Sequence, residues 1–282
     1  MKRILALVGL IALLGGLAWS RGSLRPLFNP TLDPVFTPFE NGEKLVYRVR
    51  WKPFFAIPAF RVGELSVQVW DSEYQGRESY KITAHASSQG LLTVVARLEI
   101  RDYFESAIDR RDLRSYRIVK RIREGKRRRD LETIFDYDEG NIRVHEIDLS
   151  KHPPQELRRE TVEGSTAPLA DILSVFYVMR VHRFRKGTEY WVPLINDGKL
   201  HDVRVVVVKK EKVDTPIDSF ETFRLSTKGG LFQGGGDFRI WYSQDSLRVP
   251  VKFEADVRFG KVSGDIIQLE APGLNQGLIL TE

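Results

Sequence analysis

The side chains able to ligate a metal are thinly spread. His85, His145, His152, His182 and His201 include no pair at the i, i+4 spacing that sets two imidazoles on one helix face, and no H-E-x-x-H. His145-Glu146 begins that motif and lacks its second histidine. Packing or surface histidines follow, and no metal is expected. Asp136-Tyr137-Asp138-Glu139-Gly140-Asn141 gathers carboxylates as a calcium loop does, but its glycine stands fifth rather than sixth and no glutamate stands twelfth. It reads as a hairpin turn. For acyl transfer there is no G-x-S-x-G elbow. Gly260-Lys261-Val262-Ser263-Gly264 has its serine one place late and no helix after it, and reads as a tight turn. Gly229-Gly230 and Gly234-Gly235-Gly236 lack the Lys-Ser/Thr of a phosphate loop and run into a strand over 237–243, so they read as a hairpin loop. No catalytic residue and no cofactor is assigned, and the chain is not read as an enzyme. Carboxylates on facing strands, as glycosidases use, leave no local signature; a hydrolase with such a pair stays open as an alternative.

Two features keep functional content. Between Arg114 and Arg129 lie nine cations: Arg114, Arg117, Lys120, Arg121, Arg123, Lys126, Arg127, Arg128 and Arg129. Two strands turning at Glu124-Gly125 would carry Arg121, Arg123, Lys126, Arg127, Arg128 and Arg129 to one hairpin end. Such a tip suits an anionic membrane or an acidic envelope polymer; the plain alternative is a solvated outer face. The second feature is apolar. Trp51-Lys52-Pro53-Phe54-Phe55-Ala56-Ile57-Pro58-Ala59-Phe60 and Gln89-Gly90-Leu91-Leu92-Thr93-Val94-Val95-Ala96 connect strands with aromatic and aliphatic residues. Because connections run over the surface, these side chains either plug the core or frame a groove, with Phe54, Phe55, Phe60 and Leu92 at its rim.

The elements that must position these residues are mostly strands. Leu45, Tyr47, Val49 and Trp51 alternate with Lys44, Arg48 and Arg50, and period two returns over 63–70, 80–86, 98–104, 131–137 and 252–259. Gln75-Gly76, Glu124-Gly125 and Glu139-Gly140-Asn141 separate several of these runs. One helix is expected near 167–180: Pro168 suits its first turn, and Leu169, Ile172, Leu173 and Phe176 form an apolar stripe. Asp171 and Arg180 suit its two dipole ends. The fold class is mainly β, a large curved antiparallel sheet or open barrel with that one helix.

Of 282 residues none is cysteine, so neither a disulfide nor a lipid-bearing cysteine is available. Lys2 and Arg3, the apolar run Ile4 to Trp19, and Ala18-Trp19-Ser20 have the layout of a signal peptide over residues 1–20. The sixteen-residue apolar run is short of the roughly 20 needed to span a bilayer. Export to the periplasm or beyond is expected, with an uncleaved inner-membrane anchor as the alternative. Pro26, Pro30, Pro34 and Pro38 mark residues 21–38 as a spacer, and 39–282 then form a single β-rich domain, with two sheet halves joined by the helix as the alternative. The formal charge of +6 falls to +4 without Lys2 and Arg3, too mild a surplus to call for nucleic acid.

Three segments carry a resemblance. Phe39-Glu40-Asn41-Gly42-Glu43-Lys44-Leu45-Val46-Tyr47, Asp171 to Arg180, and Ile240-Trp241-Tyr242-Ser243-Gln244-Asp245 with Val249-Pro250-Val251 are similar to the bacterial envelope family of domain of unknown function 3108. The resemblance spans about residues 38–272 and implies an exported β-rich protein without established catalytic residues. More remotely, one helix on a curved sheet resembles the half-barrels of periplasmic lipoprotein carriers, which hold acyl chains; that is likeness of fold. The expectation is a non-enzymatic envelope protein that binds an apolar or lipid-like ligand in the sheet's concavity. The alternative is a scaffold that meets anionic surfaces or partner proteins through the basic hairpin.

Overall fold

Side chains that alternate at period two dictate which face of each strand is buried, and here they dictate one long sheet. The computed structural model describes residues 39–54, 58–89, 99–163, 165–227, 236–257, 260–272 and 278–281. The expected signal peptide and spacer over 1–38 lie outside the described residues, as do Phe55, Leu92 and most of the glycine cluster.

The first meander comprises β1 (Lys44–Pro53), β2 (Phe60–Tyr74), β3 (Arg77–Ser88), β4 (Arg101–Asp109), β5 (Ser115–Glu124), β6 (Arg127–Asp136), β7 (Asn141–Asp148) and β8 (Gln155–Glu163). The second follows as β9 (Ala170–Asp171), β10 (Glu189–Asn196), β11 (Lys199–Asp214), β12 (Ser219–Thr227), β13 (Phe238–Ser243), β14 (Pro250–Val257), β15 (Gly260–Ala271) and β16 (Leu278–Thr281). β15 pairs antiparallel with β1 from Lys44 opposite Glu270 to Pro53 opposite Gly260, which joins the meanders into one sheet. β14 and then β16 share the other edge of β15. β8 and β9 are the ends of the ladder, so among the described residues no strand pairing closes a barrel.

Leu45, Tyr47 and Val49 of β1 and Val251, Phe253, Ala255 and Val257 of β14 are buried in one hydrophobic core. Gln75-Gly76 makes the two-residue turn that its sequence signals, with both residues at positive φ, 52° and 78°. Asp136 pairs with Asn141 across the expected hairpin turn. Gly260 to Gly264, expected as a turn, instead begins β15.

The helix is shorter than its apolar stripe suggests: α1 covers Val175–Val178 and continues as a 3-10 turn, Met179–Val181. The start is delayed because Ala170 and Asp171 are extended, paired in parallel with Leu194 and Ile195 of β10. Asp171 then accepts the backbone N–H groups of Leu173 and Ser174 at 2.8 and 2.9 Å, a turn that competes with helix. Where the ladder ends, polar contacts bridge the two meanders. The buried Lys120 of β5 donates to Asn196 Oδ1 and Asp197 Oδ1 at 2.5 and 2.7 Å, and Arg158 of β8 donates to the Asp197 carbonyl at 2.9 Å.

Candidate functional site

The concave face holds an apolar cavity of about 90 Å³. Its walls come from inward positions of β1 (Leu45, Tyr47), β2 (Leu65, Val67), β3 (Ala84), β4 (Phe104), β13 (Phe238, Ile240) and β14 (Pro250, Phe253). Ile172, Leu173, Phe176 and Tyr177, the turn and helix after β9, close it from the side away from the sheet. Room for the Phe253 ring depends on Gly264: a Cβ there would stand 2.2 Å from the ring. Phe253 in turn meets Tyr47 edge to face at 5.6 Å.

The three segments that carry the family resemblance converge on this plug. Arg180 forms a buried bidentate ion pair with Glu43, at 2.6 and 2.8 Å, and also donates to the Leu247 carbonyl. Its guanidinium stacks over the rings of Phe39 and Tyr177. The Tyr47 hydroxyl donates to the Pro250 carbonyl at 2.6 Å, and that of Tyr242 to the Phe176 carbonyl at 3.1 Å. Burial pushes the Tyr47, Tyr177 and Tyr242 phenols well above their ordinary pKa, against the opposing pull of Arg180. Tyr47 and Tyr242 serve as neutral donors, and the Tyr47 and Tyr177 rings line the cavity, so none of the three is a base. Arg180 thus acts through an ion pair and not through a helix dipole.

Asp171 anchors the other end of the plug. Its Oδ2 accepts from the hydroxyls of Ser106 and Ser115 at 2.5 and 2.7 Å, and its Oδ1 takes the two amides of the turn. Ser106, Ser115, Asp171 and Ser174 are all buried, and no imidazole takes part in these bonds, so the group has the character of a structural staple. The other buried carboxylates also have partners of their own: Glu43 with Arg180, Asp265 with Arg50, and Asp102 with the Arg123 backbone N–H at 2.7 Å. Among the described residues no three His, Asp or Glu side chains group as metal ligands.

The rim named from sequence is elsewhere. Phe54 is 72% exposed at the end of β1, and Phe60 packs edge to face on Trp51 at 5.5 Å; neither lines the cavity. The basic run does form a hairpin, β5 and β6, but most of its charge is matched. Arg117 pairs with Glu132, Arg123 with Asp130, Arg127 with Glu124 and Arg129 with Glu146, at 2.6 to 3.0 Å. Arg121 lies 5.3 Å over the Tyr103 ring. Beneath the hairpin, burial pushes the Asp102 carboxyl up to about 7, with the Arg123 N–H opposing and Glu124 adding to the shift.

A family model described as "Protein of unknown function (DUF3108)" matches residues 46–267. The chain belongs to this family. A β-barrel-like protein of domain of unknown function DUF1849 from Brucella abortus superposes with a TM-score of 0.56 at 10% identity, over 83% of this chain and 98% of that one. That likeness is one of fold and accords with the half-barrel architecture. A candidate exported protein with a YmcC-like fold from Bacteroides fragilis gives a TM-score of 0.34 at 10% identity, over 82% of this chain and 96% of that one. No curated protein matches the chain. No helix among the described residues is long and apolar enough to cross a membrane.

Proposed function

We propose that the protein is exported to the periplasm or beyond, catalyses no reaction, and binds an apolar or lipid-like ligand against the concave face of its sheet. The observation that carries this reading is the apolar cavity between the sheet and the Ile172 to Tyr177 plug. Its volume of about 90 Å³ is below the roughly 150 Å³ of an engineered cavity that accepts benzene. The site as folded therefore suits the end of an alkyl chain, and a bulkier ligand has to displace Phe176 or Tyr177. Native mass spectrometry of the full chain exported into a bacterial periplasm, with organic extraction of what co-purifies, tests this. A stoichiometric lipid supports the reading, and its loss in Ala84→Leu, which fills the cavity, locates the site. A protein that is empty in both forms favours the scaffold reading, for which the exposed tip residues Lys126 and Arg128 speak.

A further inference from the structure

We propose that the end of the sheet carrying the β1–β2 connection and the β5–β6 tip is a docking face for an anionic lipid surface. The topology unites two features that are 70 residues apart in the chain. β1 ends at Pro53, β2 begins at Phe60, β3 ends at Ser88, β4 begins at Arg101, and β5 and β6 turn at Glu124 to Arg127. Because each neighbouring pair is antiparallel, all of these termini lie at one end of the sheet.

Charge at this end is arranged at a cost to the fold. Lys52 stands directly opposite Lys261, and Arg123 directly opposite Arg128, where like charges repel. In each pair one member is matched: Lys261 reaches Glu254 at 3.3 Å and Arg123 reaches Asp130 at 2.6 Å. Lys52 and Arg128, with Lys126 at the tip, are exposed and pair with no carboxylate among the described residues. The acids nearby do not offset them, since Glu64, Glu99 and Glu124 are each held by Arg61, Arg101 and Arg127. At the same end of the sheet Phe54 is the most exposed of the large apolar residues described, and Pro58 and Ala59 are exposed with it. Cations that meet headgroups around an aromatic ring that enters the interface fit a bilayer, whereas a soluble polyanion has no use for the ring.

The test is co-sedimentation of the full chain with vesicles of phosphatidylcholine, alone or with about 30 mol % phosphatidylglycerol. Every variant keeps the apolar N-terminal run, so its contribution cancels in the comparison. Lys52→Glu with Lys126→Glu and Arg128→Glu is expected to lower partitioning onto the anionic vesicles at least about tenfold, since one cation near the surface is worth about fivefold. Arg77→Glu with Arg110→Glu and Arg111→Glu makes the same charge change at the opposite end of the sheet and is expected to retain binding. Phe54→Ser is expected to weaken binding at low and high salt alike. Equal losses in the two triple variants overturn the proposal in favour of a net-charge effect. Indifference to Phe54→Ser overturns it in favour of a polyanion site. Because no step depends on the cavity, an empty cavity and a failed docking face are separate results.

Discussion

Arg180 and Glu43 stand 137 positions apart in the chain and form a bidentate ion pair that is buried on both sides. The pair ties the segment that closes the cavity to the start of β1. Removing one partner leaves the other charged and buried, which costs about 3 to 5 kcal/mol. Glu43→Gln is therefore expected to lower the unfolding free energy by that order, read as a lower urea midpoint with the denaturant slope unchanged. Replacing both residues by methionine is expected to recover part of the loss. Full recovery is not expected, because Arg180 also satisfies the Leu247 carbonyl.

Asp171 gives a second measure of how firmly the plug is held. Its carboxylate takes four donors, two hydroxyls and two amides. Asp171→Ala leaves these buried donors without acceptors, at about 1 to 3 kcal/mol for each that finds no new partner. Asp171→Asn keeps one oxygen for the Leu173 and Ser174 amides and is expected to cost less. Thermal melts of the two variants check the ranking, and an alanine variant as stable as wild type would refute the staple.

Gly264 shows how closely the cavity wall is built. A methyl group there would occupy the space of the Phe253 ring, which lines the cavity. Gly264→Ala is expected to destabilise by about 1 to 3 kcal/mol, as overpacking does. Pairing it with Phe253→Leu, which removes the ring, is expected to restore more than half of the loss. Additive melting shifts in the double variant would show that the two residues do not press on one another.

The strands were legible because alternation is local. Leu45, Tyr47 and Val49 announce their buried face within six residues, and Gln75-Gly76 announces its turn. The helix was legible only as an apolar stripe. Leu169 and Ile172 are buried as that stripe requires, but Ala170 and Asp171 pair with β10, and no nearby residue signals that partner. The cavity escaped sequence reasoning for the same reason. Its lining is ordinary core residues from seven separate segments, whereas Phe54 and Phe60 stand out in the sequence around the β1–β2 connection and lie elsewhere. The density of cations over 114–129 was plain, but not their carboxylate partners on adjoining strands. The turn Asp197-Gly198, with both residues at positive φ and a carboxylate that receives Lys120, was not singled out from the sequence, because its partner on β5 lies 77 positions away.

Two buried groups give stability opposing pH dependences. The Asp102 carboxyl is pushed up to about 7 from an ordinary 3.8, chiefly by burial. Between those values the native state holds the proton more tightly than the unfolded chain, so stability falls as pH rises and levels off above about 7. His182 is pushed down to about 4 from 6.5, by burial first and then by Arg248. Across that window the unfolded chain binds the proton more tightly, so stability rises with pH and is lost as pH falls toward 4. The full shift of Asp102 corresponds to at most about 4 kcal/mol. Asp102→Asn, which still accepts the Arg123 N–H, is expected to gain on wild type more at pH 8 than at pH 5. His182→Phe, which keeps a ring against Tyr190, is expected to remove the acid-side loss and leave the slope near pH 7 unchanged. Chemical denaturation at intervals from pH 4 to pH 8 separates the two, and a difference between Asp102→Asn and wild type that is the same at every pH would show that Asp102 does not titrate in this range.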